Sequence, residues 1–123
     1  MTRGAAFLAL AMLAGAATAQ PAPTHYGLIG QMKAVPGKRA ELAAILLAGT
    51  AKMPGCLGYL IAEDAKDLDA LWITETWDSK ASHDASLSLP AVRAAIAKGR
   101  PLIAGFGQSI ETKPLGDAAT AAR

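Results

Sequence analysis

The chain alternates between strand-like and helix-like spacing of its apolar residues, and the order of these segments constrains its fold more than any other feature. Strands are predicted at residues 25–34, 56–63, 70–77 and within 102–112. The first shows the period of two that is typical of a strand, with Leu28 and Gly30 on one side and Ile29 on the other. The third is rich in β-branched and aromatic residues, which favour strands. The charged turn at residues 64–69 predicts a hairpin of the second and third strands.

Two helical segments separate these strands. The first starts near Lys38 and has an apolar residue every three or four positions, at Leu42, Ile45, Leu46, Gly49 and Met53, and Pro54-Gly55 is expected to end it. The second follows the capping pair Asp78-Ser79 and covers residues 80–87 and 91–98, with a break at 88–90. The order β-α-β-β-α-β predicts an α+β ferredoxin-like fold.

Both faces of the predicted sheet carry apolar residues. On the third strand, Trp72 alternates with Leu71, Ile73 and Trp77, so that neither face is purely polar. In a ferredoxin-like fold the helices cover one face of the sheet, and the sequence contains no further element for the other. We therefore expect a homodimer that packs sheet against sheet.

The first nineteen residues have the features of a secretory signal peptide. Arg3 precedes an apolar run at residues 5–14, which is too short to span a bilayer, and Ala17-x-Ala19 is a cleavage pattern. Cleavage is expected after Ala19, followed by a flexible leader at residues 20–24, a domain at 25–113 and a disordered tail at 114–123. The protein is then exported, periplasmic or secreted, with no stable membrane association after cleavage. An uncleaved amphipathic or anchoring helix is the alternative.

Composition excludes several classes of function. A formal net charge of +2 provides no basic surface suited to nucleic acid, and 123 residues suit a single domain. One cysteine and two histidines cannot form a four-ligand structural zinc site, so no metal is expected. No phosphate-binding glycine loop with lysine is present.

Four short motifs resemble those of the antibiotic biosynthesis monooxygenase domain, which includes cofactor-independent quinol monooxygenases. They are residues 26–38 ending in Pro-Gly-Lys, Pro54-Gly55-Cys56-Leu57-Gly58-Tyr59, residues 73–80, and Leu87-x-x-Pro90. The similarity extends over residues 25–113. It implies a dimeric α+β barrel with a pocket between sheet and helices in each subunit, and oxygenation of a small aromatic substrate by O2 without flavin, metal or haem.

Two departures from the family pattern bear on the chemistry. Family members frequently carry a histidine in His-Leu-x-x-Pro, and Ser86 stands at that place here, with His83 one turn earlier. The haem-degrading branch has a helical histidine and a first-strand asparagine where Ile96 and Gly30 stand here. Haem degradation is therefore not expected.

Five residues are candidates for the site. His83 is the candidate base, because imidazole changes protonation near neutral pH, and Glu75 is a candidate acid or orienting group. Trp77 shares a strand face with Glu75 and is predicted to line the pocket. The Tyr59 hydroxyl is a candidate for binding a substrate oxygen, and Arg93 is a candidate for binding an anionic substrate. Each also has an ordinary structural interpretation: a surface histidine, a paired carboxylate, packed aromatic residues and a solvated helix charge.

Three functions remain open at this stage. The leading one is oxidation of quinols or similar dihydroxy aromatics by O2, in which a base favours the reactive anion of the substrate. The second is a non-catalytic small-molecule-binding or stress-related dimer that uses the same pocket. The third is an isomerase or lyase that uses His83 or Glu75 for proton transfer alone.

Overall fold

A computed structural model describes Gly15 and residues 25–117 of the chain. The predicted signal peptide and leader, apart from Gly15, lie outside these residues, as does the end of the predicted tail, residues 118–123. No helix in the described part of the chain is both long and apolar enough to cross a membrane.

Four strands and three helices follow one another in the predicted order. Their bounds are β1 Tyr26–Ala34, α1 Arg39–Gly49, β2 Cys56–Glu63, β3 Ala70–Trp77, α2 Lys80–Ser86, α3 Pro90–Gly99 and β4 Ile103–Thr112, with a short 3-10 turn at Arg100–Leu102. The sheet has the order β2-β3-β1-β4, and every neighbouring pair is antiparallel. This is the α+β ferredoxin-like fold, as predicted, and β2 and β3 form the predicted hairpin.

The predicted end of the first helix is wrong, because α1 ends at Gly49 and not at Pro54-Gly55. The Thr50 hydroxyl donates a hydrogen bond to the Leu46 carbonyl at 2.8 Å, which occupies an acceptor of the last turn. Gly49 packs directly against Ala95 of α3, at a point where a side chain would not fit. Met53 is buried as the helical spacing suggested, but it contributes to the core from the loop that follows the helix.

The core lies between the helices and one face of the sheet. One cluster contains Leu42 and Leu46 of α1 with Leu71 and Ile73 of β3. A second cluster contains Tyr26, Met53, Trp77 and Val92. Full burial of a large apolar side chain stabilises the fold by about 1.5–3 kcal/mol, so these residues fix how the helices lie on the sheet.

The opposite face of the sheet, called the outer face below, carries Trp72 and Thr74 of β3. On the two edge strands it presents Leu60 and Ile110, which are 63% and 52% exposed. Register pairing places Leu60 beside Thr74 and Ile110 beside Ile29, so the apolar residues form one continuous surface. Within residues 25–117, the helices that contribute to the core pack on the other side of the sheet.

Candidate functional site

A depression of about 180 Å³ lies on the helix-side face of the sheet, above β1 and β4. Its apolar walls are Leu28, Met32, Ile73 and Phe106. A cavity of about 150 Å³ is sufficient to hold a benzene ring in a protein core, so this depression has the scale of one aromatic ring. We call it the ring-sized depression.

Glu75 provides the acidic group of the ring-sized depression. Its carboxylate accepts a hydrogen bond from the indole Nε1 of Trp77 at 2.9 Å. The two residues are two apart on β3 and share a face, as strand alternation predicts. Trp77 is almost fully buried, so its side chain has a fixed position. Its hydrogen bond therefore orients the Glu75 carboxylate, which remains part of the lining of the depression.

His83 lies beside this carboxylate, with its Nε2 atom 3.8 Å from Glu75 Oε2. Both side chains are mostly shielded, with 14% and 12% of their side-chain surface exposed. The His83 ring lies against Tyr26, with ring centres 5.1 Å apart, and meets the Trp77 ring edge-on at 5.6 Å. His83 is not among the residues that line the depression, so Glu75 is the member of the pair that a ligand would meet.

The other ring nitrogen of His83 fixes how the imidazole can act. Its Nδ1 atom is 3.0 Å from Asp84 Oδ1. Hydrogen bonds from His83 and then Lys80 hold the pKa of Asp84 below its ordinary value, which keeps this carboxylate ionised. An ionised carboxylate only accepts hydrogen bonds, so Nδ1 is the donor, and Nε2 of the neutral ring is left as an acceptor facing Glu75.

The start of α2 positions His83. Ser79 caps the helix, its hydroxyl accepting a hydrogen bond from the backbone N–H of Ser82 at 3.1 Å. Gly55 packs against Ser82, and its φ of 80° is a backbone conformation that favours glycine. The turn before β2 and the start of α2 are therefore held together, and His83 follows one residue after Ser82.

Tyr26 is a member of this cluster that the sequence analysis did not single out. Its hydroxyl donates a hydrogen bond to Glu111 of β4 at 3.0 Å, and burial, followed by that contact, raises the pKa of the phenol. The Lys80 ammonium lies 5.6 Å from the centre of its ring. The available signal was its register position opposite Trp77, which only a correct strand pairing reveals.

Tyr59 and Arg93 lie away from the depression. Tyr59 pairs with Glu75 across β2 and β3, but its ring packs into both core clusters, and burial raises the pKa of its hydroxyl. Arg93 lies on the exposed side of α3 and does not line the depression. The structure thus brings together Glu75, Trp77 and His83, while Arg93 stays apart from them.

Ser86 stands at the histidine position of the His-Leu-x-x-Pro pattern described in the sequence analysis. It is buried, and its hydroxyl donates a hydrogen bond to the backbone carbonyl of His83 at 2.6 Å. A serine at this position stabilises the turn of α2 that carries His83 and leaves the imidazole of His83 as the one near Glu75.

A larger open groove of about 450 Å³ lies between α1 and α3. Its lining is mostly alanine, and its charged residues are Glu41 and Lys98. It lacks the paired carboxylate and imidazole of the sheet site, so we place the candidate chemistry at the ring-sized depression.

Comparison with known proteins gives a consistent family assignment. The model of the family described as "Antibiotic biosynthesis monooxygenase" matches residues 25–98. A crystal structure of a candidate antibiotic biosynthesis monooxygenase from Chloroflexus aurantiacus is 60% identical, covers 76% of this chain and 96% of its own, and has a TM-score of 0.75. No curated protein matches the sequence.

Two more distant structures share the fold. A candidate monooxygenase of the same description from Caulobacter crescentus is 21% identical, with a TM-score of 0.69 over 77% of this chain and 93% of its own. One from Nitrosomonas europaea is 12% identical, with the same TM-score over 76% and 92%. Together with the family match and the 60% identical structure, they lead to one conclusion: this chain belongs to the antibiotic biosynthesis monooxygenase family.

Proposed function

We propose that this protein is a cofactor-independent monooxygenase that oxidises quinols or similar dihydroxy aromatics with O2. The observation that carries the proposal is the Glu75 carboxylate in the lining of the ring-sized depression, with the acceptor Nε2 of His83 at 3.8 Å. Membership in the family supports monooxygenase chemistry, and the size and apolar walls of the depression support a flat aromatic substrate.

Removal of a proton makes such a substrate reactive towards O2. A phenol with a pKa of about 10 is mostly protonated at neutral pH, and its anion gives up an electron far more readily. In the proposed site the substrate hydroxyl donates to Glu75, and its proton is held by the Glu75 and His83 pair. Glu75 and Asp84 lie on either side of the imidazole, at 3.8 Å from Nε2 and 3.0 Å from Nδ1.

The reaction balances as one quinol and one O2 giving one hydroxyquinone and one water. The substrate anion passes one electron to O2, and the two radicals combine to form a C–O bond. The pair returns its proton to the resulting peroxide, the O–O bond breaks, and the ring carbon loses its hydrogen as water leaves. Apolar walls limit the access of water to the radical pair.

Oxygen consumption by the purified protein tests this function. Hydroquinone and catechol are offered without flavin and with a metal chelator, and the autoxidation rate is subtracted. We expect protein-dependent uptake, with one atom from labelled O2 in the product. The His83→Ala variant should lose about ten-fold or more of the rate, within the usual range for an acid–base group, while His25→Ala, a change at an exposed histidine, should not.

Two results would contradict the proposal and favour the alternatives. Saturable binding of these quinols with no turnover would favour the small-molecule-binding dimer. Conversion of substrate without O2 would favour an isomerase or lyase that uses the same pair for proton transfer.

We also propose that the protein is exported with cleavage after Ala19 and that it forms a homodimer through the outer face. The exposed Leu60 and Ile110 beside Ile29 support the dimer, because neighbouring exposed apolar side chains on a sheet face favour a covering partner. Light scattering measures the molar mass in solution, and mass spectrometry of the exported protein locates its first residue. A monomer would contradict the dimer, and an exported protein that still begins at residue 1 would contradict the cleavage.

A further inference from the structure

The ring-sized depression is centred on a glycine. Gly30 lies in the middle of β1, and the side-chain positions around it on the same face belong to Leu28 and Met32 along the strand and to Ile73 and Ser109 on the two neighbouring strands. All five residues line the depression. Side chains on one face of a sheet are about 6.6 Å apart along a strand and about 4.8 Å apart between strands. One missing side chain at the centre therefore leaves a gap of molecular size.

No part of the described protein fills this gap. A Cβ atom at Gly30 would meet no atom within 4 Å. Three other strand glycines differ, because the missing side chain at Gly27 makes room for Thr112, that at Gly58 for Thr76, and that at Gly107 for Gln31. At those positions the fold itself uses the space, whereas at Gly30 the space stays open.

A glycine inside a strand also lowers stability relative to alanine, because it loses more backbone entropy on folding and has no side chain to pack. The backbone of Gly30 does not need glycine, because its φ is not positive. In the described part of the chain, positive φ values occur at Gly37 and Gly55, which lie in turns. Neither packing nor a positive φ thus requires a glycine at this position. A strand glycine often marks a bulge or the close approach of a ligand, and the register of β1 against β4 does shift between Gly30 and Met32. A bulge does not fill the space above Gly30, and this open space favours the close approach of a ligand.

We propose that Gly30 is a specificity-determining residue: its absent side chain forms the seat for a single aromatic ring, and the surrounding walls exclude larger fused rings. This deepens the proposed function and rests on it for the chemistry of the ligand, a dihydroxybenzene whose hydroxyl meets Glu75. Glu75 lies one position along the face from Ile73, so a ring above Gly30 has the carboxylate at its edge.

The test measures ligand binding without O2, so that it does not depend on turnover. Hydroquinone, catechol and the two-ring 1,4-dihydroxynaphthalene are titrated anaerobically into the protein and into Gly30→Ala and Gly30→Leu. Gly105→Ala and Gly105→Leu are the matched controls, because a Cβ at Gly105 also meets no atom within 4 Å but this glycine lies outside the depression. Thermal unfolding of each variant is measured in parallel.

We expect the one-ring quinols to bind about ten-fold more weakly to Gly30→Ala and about a hundred-fold more weakly to Gly30→Leu, because the added carbon atoms occupy the space that the ring would take. Gly30→Ala should keep or raise the melting temperature, a combination that a purely structural glycine would not give. The two-ring quinol should bind the unaltered protein at least ten-fold more weakly than the one-ring quinols. The Gly105 variants should bind as the unaltered protein does.

Unchanged binding in the Gly30 variants would overturn the inference, as would equal binding of one-ring and two-ring quinols or no binding of any one-ring quinol. If Gly30→Leu fails to fold, Gly30→Ala alone still decides. Glycine-dependent binding without O2 uptake would support the role of Gly30 while contradicting the proposed oxidation, so the two failures are distinguishable.

Discussion

Strand β3 carries two tryptophans that make the same interaction on opposite faces of the sheet. Trp72 donates its indole hydrogen to Asp64 at 2.7 Å on the outer face, and Trp77 donates to Glu75 at 2.9 Å on the helix side. The two carboxylates nevertheless differ in what surrounds them. The difference shows how one interaction can complete a turn in one region and present a reactive group in the other.

Asp64 is saturated by donors. Its Oδ1 atom accepts the backbone N–H groups of Lys66 and Asp67, and its Oδ2 atom accepts Trp72 and, at 3.5 Å, Gln31. The backbone hydrogen bonds, first that of Asp67, and then the Trp72 indole lower the pKa of Asp64 from 3.8 to about 2. This carboxylate holds the β2–β3 turn in one conformation and has little capacity left for a ligand.

Glu75 is left open by comparison. In residues 25–117 its carboxylate accepts one hydrogen bond, from Trp77, and otherwise faces His83 and the ring-sized depression. An ionised carboxylate can accept about four hydrogen bonds, so most of this capacity remains for a substrate hydroxyl. The comparison teaches that unused acceptor capacity, and not the carboxylate itself, marks the candidate site.

The largest expected effect separates the two carboxylates by activity. Glu75→Gln should lower the rate of quinol oxidation by about 10²–10⁴-fold, because the amide keeps the shape and the Trp77 contact but cannot take a proton. Asp64→Asn should leave the rate unchanged. Oxygen consumption at saturating quinol measures both, and equal rates in the two variants would remove the distinction.

The next effect separates the two tryptophans by stability. Trp77 is 1% exposed, so Trp77→Ala should lower the free energy of unfolding by about 3–5 kcal/mol, the usual cost of emptying a large aromatic site. Trp72 is only half-buried in the single chain, and Trp72→Ala should cost about 1–2 kcal/mol. Chemical denaturation measures both values. A larger loss for Trp72 than for Trp77 would contradict this order and would favour burial of the outer face in an assembly.

The smallest effect appears in the acid range. A carboxyl whose folded pKa lies below its unfolded pKa stabilises the protein above the unfolded value, and this contribution is lost as the pH falls through the folded value. For Asp64 the contribution is therefore present above about pH 4 and is lost between about pH 4 and pH 2.

Asp64→Asn should accordingly lower the melting temperature at neutral pH by a few degrees and flatten its fall between pH 4 and pH 2. Trp72→Phe, which removes one of the donors, should give a smaller change in the same direction. Melting curves across this pH range measure it, and an Asp64→Asn protein with an unaltered acid slope would show that the turn does not depend on this charge.

Local sequence information was sufficient for the order of elements. The bounds of β2 and β3 follow from residues that favour strands and from the charged turn between them, and Ser79 does cap α2, since capping depends on residues a few positions apart. The end of α1 could not be predicted in the same way. The contact of Gly49 with Ala95 involves α3, which is distant in sequence, and Met53 kept its place in the core after leaving the helix.

For the candidate site, too, some features could be predicted from the sequence and others depend on distant contacts. Alternation alone predicts that Glu75 and Trp77 share one face, and imidazole chemistry makes His83 a candidate base. The 3.8 Å distance between His83 Nε2 and Glu75 Oε2 depends on how α2 lies across β1 and β3. Tyr26 reaches the His83 ring because its strand pairs with β3.

The sequence by itself thus determined the fold class, the alternation of faces and the residue types able to move a proton, because all three depend on local spacing and intrinsic chemistry. Only the tertiary structure decided which carboxylate is saturated, which aromatic residues surround His83, and that the space above Gly30 stays empty. These properties depend on contacts between β1, β3, β4 and α2, and residues far apart in the chain acquire such contacts only when the sheet and helices pack together.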